Sequence, residues 1–354
     1  MKRFLMILIL LLFLVGCSSN NKDLQKEVKE QIVDEEEKEL TIEDYKNNKV
    51  DELGEVPIMM YHGIQHLSNE DTKYIGGNID KDGYQRTSES FINDLELYYN
   101  EGYRMIRLTD YVDGNINVEL GKSPIILTFD DGLENNIKVI GLDEKGEIII
   151  DPNSAVGILE SFKLKYPDYN ITATFFINRG LFHQEEYNEK ILNWLIANGY
   201  DIGNHTYNHI DFTNVDKFRT QEEIGKIYEK LGEIIPGKYV NIVALPYGSP
   251  YNLNHENMPY IYDSEYNNIT YATKSTLRVG WKAESSPFSL DFNSKFLKRI
   301  RAYDNNGKEF DIEMNFDLLK ENRYISDGDV NTIVIPCQKE DKLNNNIQKK
   351  VKTY

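Results

Sequence analysis

The sequence predicts an α/β fold: a distorted (β/α) barrel of about seven or eight parallel strands with an inserted β-hairpin. Three observations predict it. Apolar runs of strand length recur along the chain. Segments whose apolar residues recur at helical spacing lie between several of them. Residues able to do chemistry gather just after the runs, at the carboxyl ends where parallel barrels carry their sites.

In chain order the expected strands are "VPIMMY" (56–61), "PIILTF" (124–129), "ITATFFI" (171–177), "YDIGNH" (200–205), "VNIVAL" (240–245), "ITYAT" (269–273), "FLKRIRA" (296–302) and "NTIVIP" (331–336). The first expected helix, "SESFINDLELYYNEGY", puts Phe91, Leu95 and Tyr98 on one face. The next, "EEYNEKILNWLIANGY", stops at Gly199, a residue suited to a helix C-cap. "TQEEIGKIYEKLGEII" supplies a third. One segment breaks the alternation. "IKVIGLDEKGEIII" has two β-like runs around the turn Asp143-Glu144-Lys145-Gly146, and Asn153 or Ser154 then caps a helix. This is the inserted hairpin.

Ahead of the barrel, Met1-Lys2-Arg3 is a short basic start and Phe4 to Val15 is continuously apolar, too short to span a membrane at about 20 residues. With Gly16-Cys17 the segment resembles a bacterial lipoprotein signal, which implies cleavage before Cys17, a lipid on that cysteine, and an extracytoplasmic, membrane-anchored protein. The expected division is 1–16 signal peptide, 17–54 acidic flexible tether, 55–338 barrel domain and 339–354 polar tail. Cys337 is then the one other cysteine, which excludes an intramolecular disulfide and a cysteine-based zinc finger. A formal charge of −18 argues against nucleic acid as a partner.

The chemistry concentrates in two places. Asp130 and Asp131 follow "PIILTF", and His205 and His209 follow "YDIG", while the whole chain has 6 histidines. On a helical turn, residues four apart share a face, so both imidazoles can reach one cation. Two adjacent ionised carboxylates repel. A divalent cation removes that difficulty if one aspartate ligates it with the histidines. The other then stays ionised beside a metal-bound water, as a hydrolytic base must. His62, ending the first expected strand, either donates a proton to a leaving group or braces the rim.

These residues also carry a family resemblance. "TFDDG" (128–132) and "HTYNH" (205–209), with "MMYHGI", "TATFFIN", "PYG" (246–248) and "LKRIRA" in order, resemble the polysaccharide deacetylase family with its NodB homology domain, over roughly residues 55 to 338. The resemblance implies a zinc-like divalent metal on Asp131, His205 and His209, with Asp130 as base. It implies the Tyr247 backbone N–H as oxyanion donor, and hydrolysis of N-acetyl groups on a glycan such as peptidoglycan or poly-N-acetylglucosamine. Pro246 and Trp281 are assigned to the substrate side, Trp281 being alternatively a core residue. Two departures stand out. Ala244 occupies the place of the family's base-orienting arginine, and "LKRIRAYDN" lacks the family's terminal histidine. Arg299 or Arg301 is a candidate replacement cation. An O-acetyl esterase, or a glycan-binding lipoprotein with little turnover, shares the same residues.

Overall fold

The run Ser123–Phe129 is buried along its whole length, as a strand covered on both faces must be. Around it the computed structural model, which describes residues 39–280 and 282–354, builds one parallel sheet. Its strands are β1 (Ile58–Tyr61), β2 (Tyr103–Met105), β3 (Ser123–Phe129), β4 (Thr174–Ile177), β5 (Asp201–Asn204), β6 (Ile242–Ala244), β7 (Ser275–Leu277) and β8 (Ile300–Arg301). They run in the order β7-β6-β5-β4-β3-β1-β8, with β2 also paired to β3, and every pairing is parallel. A parallel bridge between Leu277 and Leu297 joins the β7 edge to the chain entering β8. The Leu297 N–H reaches Thr276 O at 2.8 Å and the Arg278 N–H reaches Leu297 O at 2.9 Å. The result is the expected distorted barrel.

Register aligns the strand ends. Tyr61 lies opposite Phe129, and Ile177 opposite Asn204. His62 and Asp130 therefore leave the neighbouring strands β1 and β3 at one level, while the register through β4, Phe129 opposite Phe175 and Phe175 opposite Ile202, lets β5 run two residues further before His205. Helix Ser88–Asn100 starts at Thr87, whose side chain accepts the Ser90 N–H, and buries the expected Phe91, Leu95 and Tyr98. The hairpin pairs Val139–Leu142 with Ile148–Ile150 antiparallel, and Ser154 caps helix Ala155–Lys165 by accepting the Gly157 N–H. Among the described residues no helix is long and apolar enough to cross a membrane.

Two expected barrel strands lie elsewhere. Ile269–Ala272 forms an antiparallel pair with Asp263–Tyr266, and Thr332–Ile335 pairs in parallel with Lys350–Thr353. Their places are taken by β2 and β7, "YRM" and "STL". These three-residue stretches of mixed polarity carry no apolar run.

The domain limits also differ from 55–338. The folded unit runs from Ile42 to Tyr354. Tyr45 and Val50 are buried, so the last part of the expected tether belongs to the fold. The expected tail ends in the strand Lys350–Thr353, after which the Tyr354 hydroxyl donates to Val50 O at 2.8 Å, and Lys339 near its start is ion-paired to Asp51. Backbone pairing and ion pairs hold this segment, and composition does not display them. The segment 1–16, Cys17 and the tether to residue 38 lie outside the described residues, as does Trp281.

Candidate metal centre

The adjacent aspartates are separated by their partners. Asp130 continues from β3 with its N–H on Tyr61 O at 2.9 Å. Its carboxylate is 2 % exposed and receives both arms of Arg299, Nη1 to Oδ1 at 2.8 Å and Nη2 to Oδ2 at 2.6 Å. Arg299 is itself completely buried; its Nε donates to Arg278 O and its Nη1 also reaches Thr128 Oγ1. Gly280 permits this approach, because a Cβ there would fall within 2.1–2.3 Å of the Arg299 backbone. Burial alone would raise the Asp130 pKa. The charge of Arg299 and its hydrogen bonds outweigh it and hold the carboxyl well below its ordinary range. Arg301 instead lies over the rings of Tyr84 and Tyr303.

Asp131 turns away through a left-handed backbone, φ 75°, followed by Gly132 at φ 58°. Its Oδ1 lies 3.3 Å from His205 Nε2 and 3.4 Å from His209 Nε2. The three ligand atoms all lie within 4.8 Å of one another. The histidines do not converge by sharing a helical face. Residues 205–209 form an irregular loop in which Thr206 and His209 are left-handed, φ 64° and 54°. Such strain in non-glycine residues persists where surrounding contacts over-determine it. Asn204 Oδ1 accepts the Thr206 N–H at 2.8 Å. The buried Glu223 carboxylate accepts the Asn208 N–H and its side-chain amide, both at 2.6 Å.

His205 Nδ1 lies 2.8 Å from the Ala244 carbonyl, which fixes the tautomer with Nε2 unprotonated. That Nε2 is buried and has no hydrogen-bond partner among the described residues. An orphaned imidazole nitrogen facing a carboxylate and a second imidazole is a donor set that fits a divalent metal with a zinc-like preference. Asp130, committed to Arg299, is outside that set.

The cleft above these groups has a volume of about 280 Å³. Of the site residues expected from sequence, His62, Asp130, Asp131, His205, His209 and Tyr247 line it together. His62 packs edge-on against Tyr84, ring centroids 4.9 Å apart, and its Nδ1 is buried without a partner among the described residues. Burial lowers the His62 pKa, against the opposing charges of Asp130 and Asp131. Tyr247 is left-handed, φ 58°, and its ring packs on His209 at 4.8 Å. No hydrogen bond among the described residues uses its N–H. Pro246 does not line the cleft. It is buried and sets the first turn of Pro246–Gly248, so its expected substrate contact is corrected to a shaping role. Tyr84, Gln85, Leu245 and Val279 complete the wall. Leu245 ends an expected strand beside the "PYG" turn, whereas Tyr84, Gln85 and Val279 sit in no recognisable motif.

Residues 117–260 match the family model described as polysaccharide deacetylase. No curated protein matches the chain. Among solved structures, the Streptococcus pyogenes deacetylase PplD in complex with acetate is 20 % identical over 70 % of this chain and 92 % of its own, with a TM-score of 0.50. That likeness shows the shared fold. A de-N-acetylase from Aggregatibacter actinomycetemcomitans is 12 % identical over 69 % of this chain and 93 % of its own, with a TM-score of 0.44.

Proposed function

We propose, starting from the match of residues 117–260 to the polysaccharide deacetylase model, that this protein hydrolyses N-acetyl groups on a cell-surface or extracellular polysaccharide of the peptidoglycan or poly-N-acetylglucosamine type. The observation that carries the reading is an ionised, arginine-clamped Asp130 beside the Asp131, His205 and His209 cluster on one cleft floor. A divalent cation on that cluster, zinc by its donor set, would supply an acidified water and a polarised amide carbonyl. Asp130 takes the proton of the attacking water on the lone pairs that Arg299 leaves free. The Tyr247 N–H donates to the oxygen that gains charge as the acetyl carbon becomes tetrahedral. His62 gives a proton to the amine nitrogen as the C–N bond breaks. Burial disfavours its charged form, so the proton it gives is the one that Asp130 removed from the attacking water. Acetate and a free amine leave.

The Arg299 clamp favours turnover over a protein that only binds glycan, because it fills the place that Ala244 leaves without a cation. The same reading puts the protein outside the cytoplasm, held to the bacterial membrane by a lipid on Cys17.

The test combines elemental analysis with acetate release from N-acetylglucosamine oligomers. Asp131→Ala, His205→Ala and His209→Ala are each expected to lose the metal. Asp130→Asn keeps it and loses turnover, and His62→Ala keeps it with kcat lowered about 10²–10⁴-fold. Turnover that survives a chelator, or full metal content in Asp131→Ala, sinks the reading.

A further inference from the structure

Arg301 is the candidate cation that Asp130 leaves unused. It ends β8, two residues after Arg299, and side chains two apart on a strand share a face. Met60 lies opposite both Arg301 and Thr128, so that face is the one from which His62 and Asp130 project, two residues further along β1 and β3. The Arg301 guanidinium lies over the ring of Tyr84, 5.2 Å from its centroid, and over that of Tyr303 at 4.5 Å. Tyr84 also lines the catalytic cleft and packs against His62, which places the guanidinium at the rim of that cleft.

No carboxylate neutralises it. Arg86, Arg104, Arg107, Arg219 and Arg299 each form an ion pair, whereas Arg301 has neither an ion pair nor a side-chain hydrogen bond among the described residues. The chain has 58 acidic residues against 40 basic ones, so a shortage of partners does not explain this. Asp304, the nearest carboxylate in sequence, is taken. Its Oδ2 accepts Arg86 Nη1 at 2.7 Å and the Gly77 N–H at 2.8 Å. The surroundings of Arg301 are also held in place. The Asp80 carboxylate accepts the Tyr84 N–H at 3.1 Å and the Gln85 N–H at 2.6 Å. Gly83 turns at φ 66°, and a Cβ there would fall 2.3 Å from Tyr303 Cδ2, so glycine lets the Tyr84 loop close on Tyr303. The Arg86–Asp304 pair ties the same two segments together across 218 residues of chain.

Aromatic rings take up the flat sides of a guanidinium and leave the N–H groups at its edges free. A fork held in that way matches the paired oxygens of a carboxylate or a phosphate, and binds either more firmly than a neutral hydroxyl. We propose that Arg301 holds an anionic group of the glycan, a carboxylate or a phosphate, near the acetamido group seated at Asp131, His205 and His209. The substrate is then an acidic polysaccharide, and Arg301 selects it over a neutral one. The inference rests on the deacetylase reading of the cleft.

Three N-acetylated disaccharides test it: neutral N,N′-diacetylchitobiose, its 6-phosphate, and N-acetylglucosaminyl-N-acetylmuramic acid, whose lactyl ether carries a carboxylate. Calorimetry with the zinc-loaded protein measures binding of each, and acetate release is followed alongside. The better of the two acidic compounds should bind at least about tenfold more tightly than the neutral one, as a charge-assisted hydrogen bond contributes. Tighter binding of the phosphate assigns the site to a phosphorylated glycan, and tighter binding of the carboxylate to one containing an acidic sugar. Arg301→Gln should bring the ratio of acidic to neutral affinity to about one, and Arg301→Lys, which keeps the charge without the fork, should retain part of it. Equal binding of all three compounds by the wild-type protein overturns the proposal. So does a ratio that Arg301→Gln preserves, whether the anion sits elsewhere or Arg301 only supports the Tyr84 wall and both affinities fall together. If the ratio collapses in Arg301→Gln while the wild-type protein releases no acetate from any of the compounds, the anion site stands and the deacetylase reading falls.

Discussion

Arg299 makes the adjacent aspartates compatible. Its fork occupies both oxygens of Asp130, so one carboxylate is neutralised from behind while Asp131 faces the two histidines. The motif around Asp130 and the paired histidines were legible because each lies within a few residues of chain. Arg299 is 169 residues away from Asp130, and sequence alone left it level with Arg301. Lysine at this position would keep the charge but lose the fork. Arg299→Lys should therefore keep its metal and lower kcat about 10²-fold, as small misplacements of a catalytic group do. Arg299→Ala should in addition lose about 3–5 kcal/mol of stability, because it leaves a buried carboxylate unpaired. Steady-state kinetics and denaturant titration check both. A fully active lysine variant would show that Asp130 needs only a nearby charge.

The second histidine depends on an element that sequence treats as scaffold. Helix Lys217–Ile234 has an apolar stripe that packs it on the barrel, yet its buried Glu223 points the other way in function. Its backbone carbonyl accepts the Tyr207 N–H at 2.9 Å, its carboxylate holds Asn208, and Arg219 pairs with it. These contacts hold His209 in its left-handed conformation. The spacing of His205 and His209 suggested a helical turn because four residues is the helical period. The structure reaches the same convergence by a strained loop, which no periodicity encodes. Removing the support should loosen one ligand without removing it, so Glu223→Ala is expected to weaken zinc binding about 10–100-fold. Competition against a chromogenic chelator measures this. Unchanged affinity would mean that the loop holds its shape unaided.

At the scale of the whole folded unit, its first described segment is locked to its last third around Glu52. Its carboxylate accepts the Tyr324 hydroxyl at 2.6 Å and the Val334 N–H at 2.7 Å, and its carbonyl accepts the Ser286 hydroxyl. Burial, and then the charge of Asp327, push its pKa from 4.5 up to about 8. The sign follows from linkage. Below pH 4.5 both folded and unfolded chains hold the proton, so the contribution of Glu52 is fully present there. Between pH 4.5 and about 8 the unfolded chain releases that proton while the folded chain keeps it, so stability falls as pH rises through this window. Denaturant titrations across it should show the wild-type protein losing stability relative to Glu52→Gln, which cannot ionise. Parallel curves for the two proteins would place the ionisation elsewhere.

What the sequence determined by itself was local. The alternating runs specified a parallel α/β barrel, and two short motifs specified the aspartates and histidines, because strand burial, turn chemistry and ligand spacing are all written within a few residues. Tertiary structure alone decided which short segments join the sheet and where the fold begins and ends. It also decided which arginine meets Asp130. Those outcomes depend on contacts between residues distant in the chain, where backbone pairing and buried charge select the partner and composition leaves no trace.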